Sequence, residues 1–101
     1  MKNYKIEVLP IAKRDLENII DYLSAFYPNT ATKQLERIFD NIESLKKFPE
    51  MGGYYDYLID GEKFRKLVID DYIVLYHVNP ESFVIEIYRV VNAKRDLFRL
   101  L

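Results

Sequence analysis

Hydrophobic and polar residues follow two different periodicities along the chain. Residues Tyr4 to Leu9 alternate at every second position, which predicts a short β-strand. Pro10 ends that strand and suits the first turn of a helix, because its missing N–H costs nothing there. Apolar residues then recur at steps of three and four, which indicates one stripe on an amphipathic helix. The stripe consists of Ala12, Leu16, Ile19, Ile20, Leu23 and Phe26.

A second stripe of the same kind follows a short break. Pro28 and Asn29 interrupt the first helix, and Asn29 or Thr30 can cap the next one, which is predicted to end at Pro49. The second stripe consists of Ala31, Leu35, Ile38, Phe39, Ile42 and Leu45. Two amphipathic helices joined by so short a break predict an antiparallel helical hairpin, and its apolar side needs a sheet to cover.

The second half of the chain supplies the sheet. The runs FRKLVI, YIVLYHV and FVIEIYRVV are rich in β-branched and aromatic residues and predict three strands. Asp70-Asp71 and Asn79-Pro80-Glu81 are turn candidates, so the strands are predicted to form an antiparallel meander. The preceding segment FPEMGGYYDYLIDGEK is predicted to be irregular, and a short helix is predicted from about Lys94.

The order β-α-α-β-β-β-α predicts an α+β fold over residues 1–101, a single domain with two layers: an antiparallel sheet packed against the helical hairpin. A length of 101 residues is enough for one core. Hydrophobic residues make up 50% and charged residues 31%, an ordinary balance for a soluble globular domain. With no cysteine, no secretory pattern and no apolar run near the ~20 residues of a membrane span, we expect a cytoplasmic protein without a membrane partner.

Composition excludes most enzyme classes. The three glycines, Gly52, Gly53 and Gly61, form no nucleotide-binding loop. One histidine and no cysteine argue against a metal site, and no cofactor is expected. His77 is predicted to be a half-exposed strand residue, in preference to a general base.

Positive charge is concentrated near the C-terminus. The net charge is −1, yet the residues from Arg89 onward carry four cations and one carboxylate, a local balance of +3. Arg65 and Arg89 fall on the first and third meander strands, and Lys94 and Arg95 follow directly, so these four cations can converge on one face. The alternative is that the two strand arginines pair with carboxylates such as Asp70, Glu86 or Asp96.

Nearly the whole chain resembles the RelE/ParE superfamily of small toxins from type II toxin–antitoxin systems. The resemblance rests on the first strand with its helical hairpin, on FPEMGG, on FRKLVIDDYIVLYHV and on EIYRVVNAKRDL. It implies growth inhibition, plasmid stabilisation and a small, acidic antitoxin as partner. It also implies a target-binding surface made of Arg65, Arg89, Asn92, Lys94 and Arg95.

The two branches of this superfamily differ in their targets. RelE-like members cleave messenger RNA in the ribosome, and ParE-like members poison DNA gyrase. The RelE-type arginine of the middle meander strand corresponds here to Ile73, which cannot neutralise phosphate, so the resemblance is closer to the ParE-like branch. If the chain were a ribonuclease, its catalytic residues would be Arg65, Arg95, Tyr72 and Tyr76. A third alternative is a non-toxic interaction module of the same fold.

The apolar C-terminus either completes the core or awaits a partner. Leu97, Phe98, Leu100 and Leu101 have little polar cover in the sequence LFRLL. The antitoxin is expected to contact Arg89, Phe98 and Arg99.

Overall fold

Seven helices and strands follow one another in the computed structural model, which describes residues 3–95. They are β1 (Lys5–Val8), α1 (Pro10–Phe26), α2 (Ala31–Ser44), β2 (Gly53–Ile59), β3 (Glu62–Ile69), β4 (Tyr72–Asn79) and β5 (Val84–Asn92). The five strands form one sheet in the order β1-β5-β4-β3-β2. Helix α1 packs against β5 and α2 packs against β3, so the predicted two-layer α+β fold is confirmed.

The helical hairpin begins as predicted and ends earlier. Pro10 occupies the first turn of α1, and the chain leaves that helix at Tyr27. Thr30 is the N-cap residue of α2, although its side chain makes no capping bond. Helix α2 ends at Ser44 rather than at Pro49, and residues 45–47 form a turn.

The three predicted meander strands pair as expected. β3 and β4 are antiparallel and joined by the two-residue turn Asp70–Asp71, with Ile69 paired to Tyr72. β4 and β5 are also antiparallel. In their connection the side chain of Asn79 accepts bonds from the N–H groups of Glu81 and Ser82 and so fixes the turn.

Two features of the sheet differ from the prediction. The segment predicted to be irregular contains β2, an antiparallel edge strand joined to β3 by Asp60 and Gly61, which both have positive φ (52° and 79°). An Asp-Gly pair suits such a hairpin turn. In addition, β1 is parallel to β5, with Lys5 beside Val84 and Val8 beside Ile87, so the sheet is mixed rather than wholly antiparallel. The predicted C-terminal helix lies outside the described residues, apart from Lys94 and Arg95, which belong to a turn.

The core lies between the helical hairpin and one face of the sheet. The apolar stripes of both helices contribute Ala12, Leu16, Ile19, Leu23, Ala31, Ile38 and Ile42. The sheet contributes Leu67, Ile69, Tyr72, Val74, Tyr76, Ile85, Ile87 and Val90. Because side chains alternate along a strand, Phe64, Ile73, Leu75 and Val91 lie on the opposite face, and they too are buried.

A buried carboxylate joins the helical layer to the sheet. Strand β1 pairs with β5 only as far as Ile87, whose carbonyl accepts a final bond from the N–H of Leu9 at 3.0 Å. Beyond that point β5 has no strand neighbour on this side among residues 3–95. The side chain of Asp15, from α1, takes the place of that neighbour and accepts the N–H of Val90 at 3.0 Å.

Arg89 completes this arrangement. Its Nε and one terminal nitrogen donate to the two carboxylate oxygens of Asp15 at 2.7 and 2.9 Å. The pairing of β4 with β5 shifts register between Leu75 and Tyr76, and Arg89 lies at this irregularity. Asp15 is 7% exposed and the Arg89 side chain 14% exposed, so the bidentate pair lies largely out of water.

Replacing Asp15 with alanine is expected to lower the free energy of unfolding by about 3–5 kcal/mol. The substitution removes the carboxylate that joins Arg89 to the Val90 N–H, and breaking a buried ion pair from one side is costly because the Val90 N–H loses its acceptor. Urea unfolding followed by circular dichroism measures the loss. Asp21→Ala, an exposed position on the same helix, is the matched control and should change the value by no more than about 0.5 kcal/mol.

Candidate functional site

A tight turn after β5 holds the two cations Lys94 and Arg95. The side-chain oxygen of Asn92 accepts the backbone N–H groups of both residues at 3.0 Å. The N–H of Ala93 donates to the carbonyl of Asp71 at 2.7 Å, which ties the turn to the β3–β4 connection. Asn92, predicted to bind the target, therefore positions the two cations with its side-chain oxygen.

The guanidinium of Arg95 lies over an aromatic cluster of the helical hairpin. Its guanidinium carbon is 3.8 Å from the ring centre of Tyr22, within the range of a cation–π contact. The Tyr22 ring in turn contacts those of Phe26 and Tyr27, at centre-to-centre distances of 5.0 and 6.0 Å. Phe26 is 68% exposed, so this cluster forms an aromatic surface rather than part of the core.

A groove of about 400 Å³ separates the tip of the hairpin from the end of the sheet. It is lined by Tyr22, Leu23, Tyr27, Thr30, Gln34, Asp71, Tyr72, Asn92, Lys94 and Arg95. The Lys94 ammonium lies 3.4 Å from Asp71, but both side chains are exposed, so this pair holds Lys94 only weakly. The groove therefore presents cations, aromatic rings and amide groups together, and we call it the Arg95 groove.

Arg65 belongs to a different surface. It lies opposite Tyr76 on β4, whereas Asn92 lies opposite Tyr72, four residues or roughly 13 Å along the same strand. Its guanidinium donates to the carbonyl of Gly52 at 2.7 Å and stacks on Tyr54. The predicted convergence of the cations is therefore corrected: Lys94 and Arg95 come together, and Arg65 does not join them.

Arg89 is likewise not a free surface cation. Its bidentate bond to Asp15 uses the guanidinium within the fold. The sequence had suggested pairing with Glu86 or Asp96 as the alternative to target binding, and the partner is a helix residue 74 positions away. Arg89 therefore has a structural role in the fold, and its contacts with the target and the antitoxin stay predictions.

Comparison with known families identifies the chain. The profile described as "ParE toxin of type II toxin-antitoxin system, parDE" matches residues 6–97. The chain belongs to the ParE toxin family. It is therefore a toxin component of a type II toxin–antitoxin system, as the sequence had indicated.

Solved toxin–antitoxin structures share the fold of this ParE-family protein. A chromosomal ParDE system from P. aeruginosa superposes with a TM-score of 0.70 at 20% identity, over 88% of this chain and 95% of that one. An archaeal RelE–RelB complex from Pyrococcus horikoshii gives 0.63 at 18% identity, over 92% and 98%. The RelBE2 complex from Mycobacterium tuberculosis gives 0.57 at 21% identity, over 89% and 98%. No curated protein sequence matches the chain significantly.

The tyrosines predicted for a ribonuclease site are inside the protein. Tyr76 is fully buried, and Tyr72, although it lines the Arg95 groove, is only 4% exposed, so neither ring has a face open to a polynucleotide. The Tyr76 hydroxyl accepts the N–H of Gly52 at 2.9 Å and donates to the carbonyl of Pro49 at 2.8 Å. These tyrosines are therefore corrected to core residues that support the fold.

His77 lies on the opposite sheet face as a partly buried strand residue, as predicted. One ring nitrogen is 3.2 Å from Glu86 and the other 3.3 Å from Glu62. The ring also contacts Phe64.

Among residues 3–95 no group of three or more histidine, aspartate or glutamate side chains is placed to hold a metal ion. No helix in the same range is long and apolar enough to cross a membrane.

The aromatic partners of the cations were not predicted from the sequence. Tyr22 and Tyr27 were not singled out, although Tyr22 follows the α1 stripe by helical spacing and Tyr27 ends that helix. Lys63 was not considered, although it shares the side of β3 that carries Arg65. The predicted antitoxin contacts Phe98 and Arg99 lie outside the described residues.

Replacing Tyr76 with phenylalanine tests its structural role. The variant leaves the buried N–H of Gly52 without its acceptor, so we expect a loss of about 1–3 kcal/mol in the free energy of unfolding. Tyr57→Phe, on an exposed tyrosine of the edge strand, is the matched control and should leave stability unchanged.

The pH dependence of stability gives a second readout at the same residue. Burial raises the pKa of Tyr76 above its ordinary value of 10.0, because the charged form is poorly solvated inside the protein. The unfolded chain therefore loses this proton first, and the stability that depends on it is complete below pH 10.0 and lost as the pH rises further. Urea titrations at increasing alkaline pH should show a shallower decline for Tyr76→Phe than for the wild type. Equal slopes would contradict this assignment.

Proposed function

We propose that this toxin arrests growth by binding DNA gyrase, that the Arg95 groove forms part of the contact, and that a cognate antitoxin neutralises it. The observation that carries the choice of target is the burial of Tyr72 and Tyr76, the two tyrosines expected to assist proton transfer if the chain were a ribonuclease.

The placement of the cations supports the same choice. Cleavage of a phosphodiester requires positive groups gathered around one phosphate. Here Arg65 and Arg95 line separate cavities with no residue in common. Ile73, in the position of the RelE-type arginine, is 9% exposed and apolar. The described residues thus favour a toxin that acts by binding a protein.

The Arg95 groove suits a protein target. Exposed aromatic side chains and arginine are enriched where protein interfaces concentrate their binding energy. Phe26, Tyr27 and Arg95 are all exposed, and the ring of Tyr22 contacts the guanidinium of Arg95. Asn92 fixes the turn before binding, which lowers the entropy lost when the interface forms.

An antitoxin partner is supported by the structures that share this fold, since the M. tuberculosis and P. horikoshii structures are complexes of a RelE-type toxin with its RelB antitoxin. We expect a small, acidic protein encoded next to the toxin gene. Arg89, Phe98 and Arg99 stay predicted contacts, and the guanidinium of Arg89 is held in place by Asp15.

Expression of the toxin with and without the product of the adjacent reading frame tests the proposal. Alone, the toxin should arrest growth, induce the DNA-damage response and inhibit supercoiling by purified gyrase, while messenger RNA stays intact. Codon-linked breaks in messages, mapped by primer extension, together with unaffected gyrase, would identify a ribonuclease instead. Harmless expression without the partner would identify a non-toxic module.

Charge reversal at Arg95 tests the surface. Arg95→Glu should raise the toxin concentration needed for half-inhibition of supercoiling at least about tenfold, which corresponds to ~1.4 kcal/mol of binding free energy. Lys13→Glu also replaces a positive charge with a negative one, but on the exposed side of α1, and is the matched control. Equal inhibition by wild type and both variants would exclude the Arg95 groove from the contact.

A further inference from the structure

A second surface combines an exposed tyrosine with two cations. The ring of Tyr54, on the edge strand β2, is 58% exposed. The guanidinium carbon of Arg65 is 4.1 Å from its centre, and the ammonium of Lys63 is 5.1 Å from it. Both cations come from the same side of β3 and share one aromatic face, which is the geometry of a cation–π contact.

Neither cation has a carboxylate partner within the described part of the chain. The ion pairs among residues 3–95 involve Arg37, Lys46, His77, Arg89 and Lys94. Arg65 uses one nitrogen to donate to a backbone carbonyl, and Lys63 makes no hydrogen bond to a side chain. Two adjacent positive groups that form no ion pair within residues 3–95 make a site that a well-placed anion would stabilise.

The backbone around Arg65 is held rigidly. The carbonyl that receives its bond belongs to Gly52, whose N–H donates to the buried hydroxyl of Tyr76. A Cβ at this position would lie 2.5 Å from the carbonyl oxygen of Lys66, so only glycine fits so close to β3. The guanidinium is thus oriented before any ligand arrives, which lowers the entropy cost of binding.

The surroundings select the type of anion. A cavity of about 330 Å³ lies beside these groups and is also lined by Glu50 and Glu62. Two carboxylates would repel a polynucleotide, which carries a charge at every phosphate, but they tolerate a single carboxylate directed at the cations. Next to the cavity, Phe48 is 62% exposed and Met51 is 41% exposed, so apolar groups can bind there as well.

We propose that this surface, formed by Tyr54, Lys63 and Arg65 with Phe48 and Met51 beside them, binds a peptide segment that carries one carboxylate next to apolar side chains. We call it the Tyr54 site. It shares no residue with the Arg95 groove, so it can be occupied while that groove is open. The inference rests on the proposed function only for the source of the segment, which is the antitoxin.

Charge reversal at Lys63 is the first test. Calorimetry with the antitoxin produced from the adjacent reading frame should show at least about tenfold weaker binding for Lys63→Glu than for the wild type. Lys66→Glu is a close control, because Lys66 lies on the same strand with its side chain on the opposite sheet face. Equal loss in both variants, or none in Lys63→Glu, would overturn the inference and leave the toxin assignment intact.

The second test does not depend on the antitoxin. The probe is a nonapeptide with capped ends and one central glutamate flanked by leucines, compared with the same peptide carrying lysine in place of that glutamate. In NMR titrations the acidic peptide should shift the signals of Tyr54 and Arg65, and the basic peptide should not. Shifts elsewhere, or none, would overturn the inference even if the antitoxin binds. A single-stranded RNA that binds the wild type and fails to bind Lys63→Glu would show that the site is for nucleic acid instead.

Discussion

The fold depends on one carboxylate, that of Asp15, which accepts a backbone hydrogen bond from β5 where the pairing with β1 has ended. Where β1 ends, the exposed side of β5 would leave backbone groups without partners, and an unpaired buried N–H is costly. Asp15 accepts the N–H of Val90 and binds Arg89 with both oxygens, so the first helix is fixed to the sheet at the point where the ladder stops. The parallel pairing of β1 with β5 ends beside this junction, and the crossover through the helical hairpin to β2 begins there.

This junction separates the structural cations from those available to partners. Arg89 serves the fold, while the turn that begins three residues later presents Lys94 and Arg95 above the aromatic cluster around Tyr22. At the other end of the sheet Arg65 is oriented by Gly52. The result is two separate surfaces on a chain with a net charge of only −1, each built from an arginine stacked on a tyrosine. Such local sites favour specific protein contacts over general attraction to nucleic acid.

Much of this fold could be predicted from the sequence because its periodicities are strong. Apolar stripes located both helices, and the Asp70–Asp71 turn located the β3–β4 hairpin. Strand β2 was not predicted because its side chains are mostly exposed and its register shifts between Tyr54 and Leu58, so its apolar and polar residues do not alternate. The pair Asp60-Gly61 was nevertheless a usable turn signal. The partner of Arg89 could not be found by pattern, since Asp15 lies in a helix 74 residues earlier and no local spacing links them. The same distance in sequence hid the contact of Tyr22 with Arg95.

Amide hydrogen exchange at Val90 tests the central claim most directly. If Asp15 replaces the missing strand, the Val90 N–H is a buried, bonded group that opens only when the whole domain unfolds. Its exchange in the wild-type protein should therefore be as slow as that of the core strand β4, although among residues 3–95 no strand pairs with β5 on the Asp15 side at this point. Exchange as fast as at the exposed residues of β2, in a protein that is otherwise folded, would contradict the account.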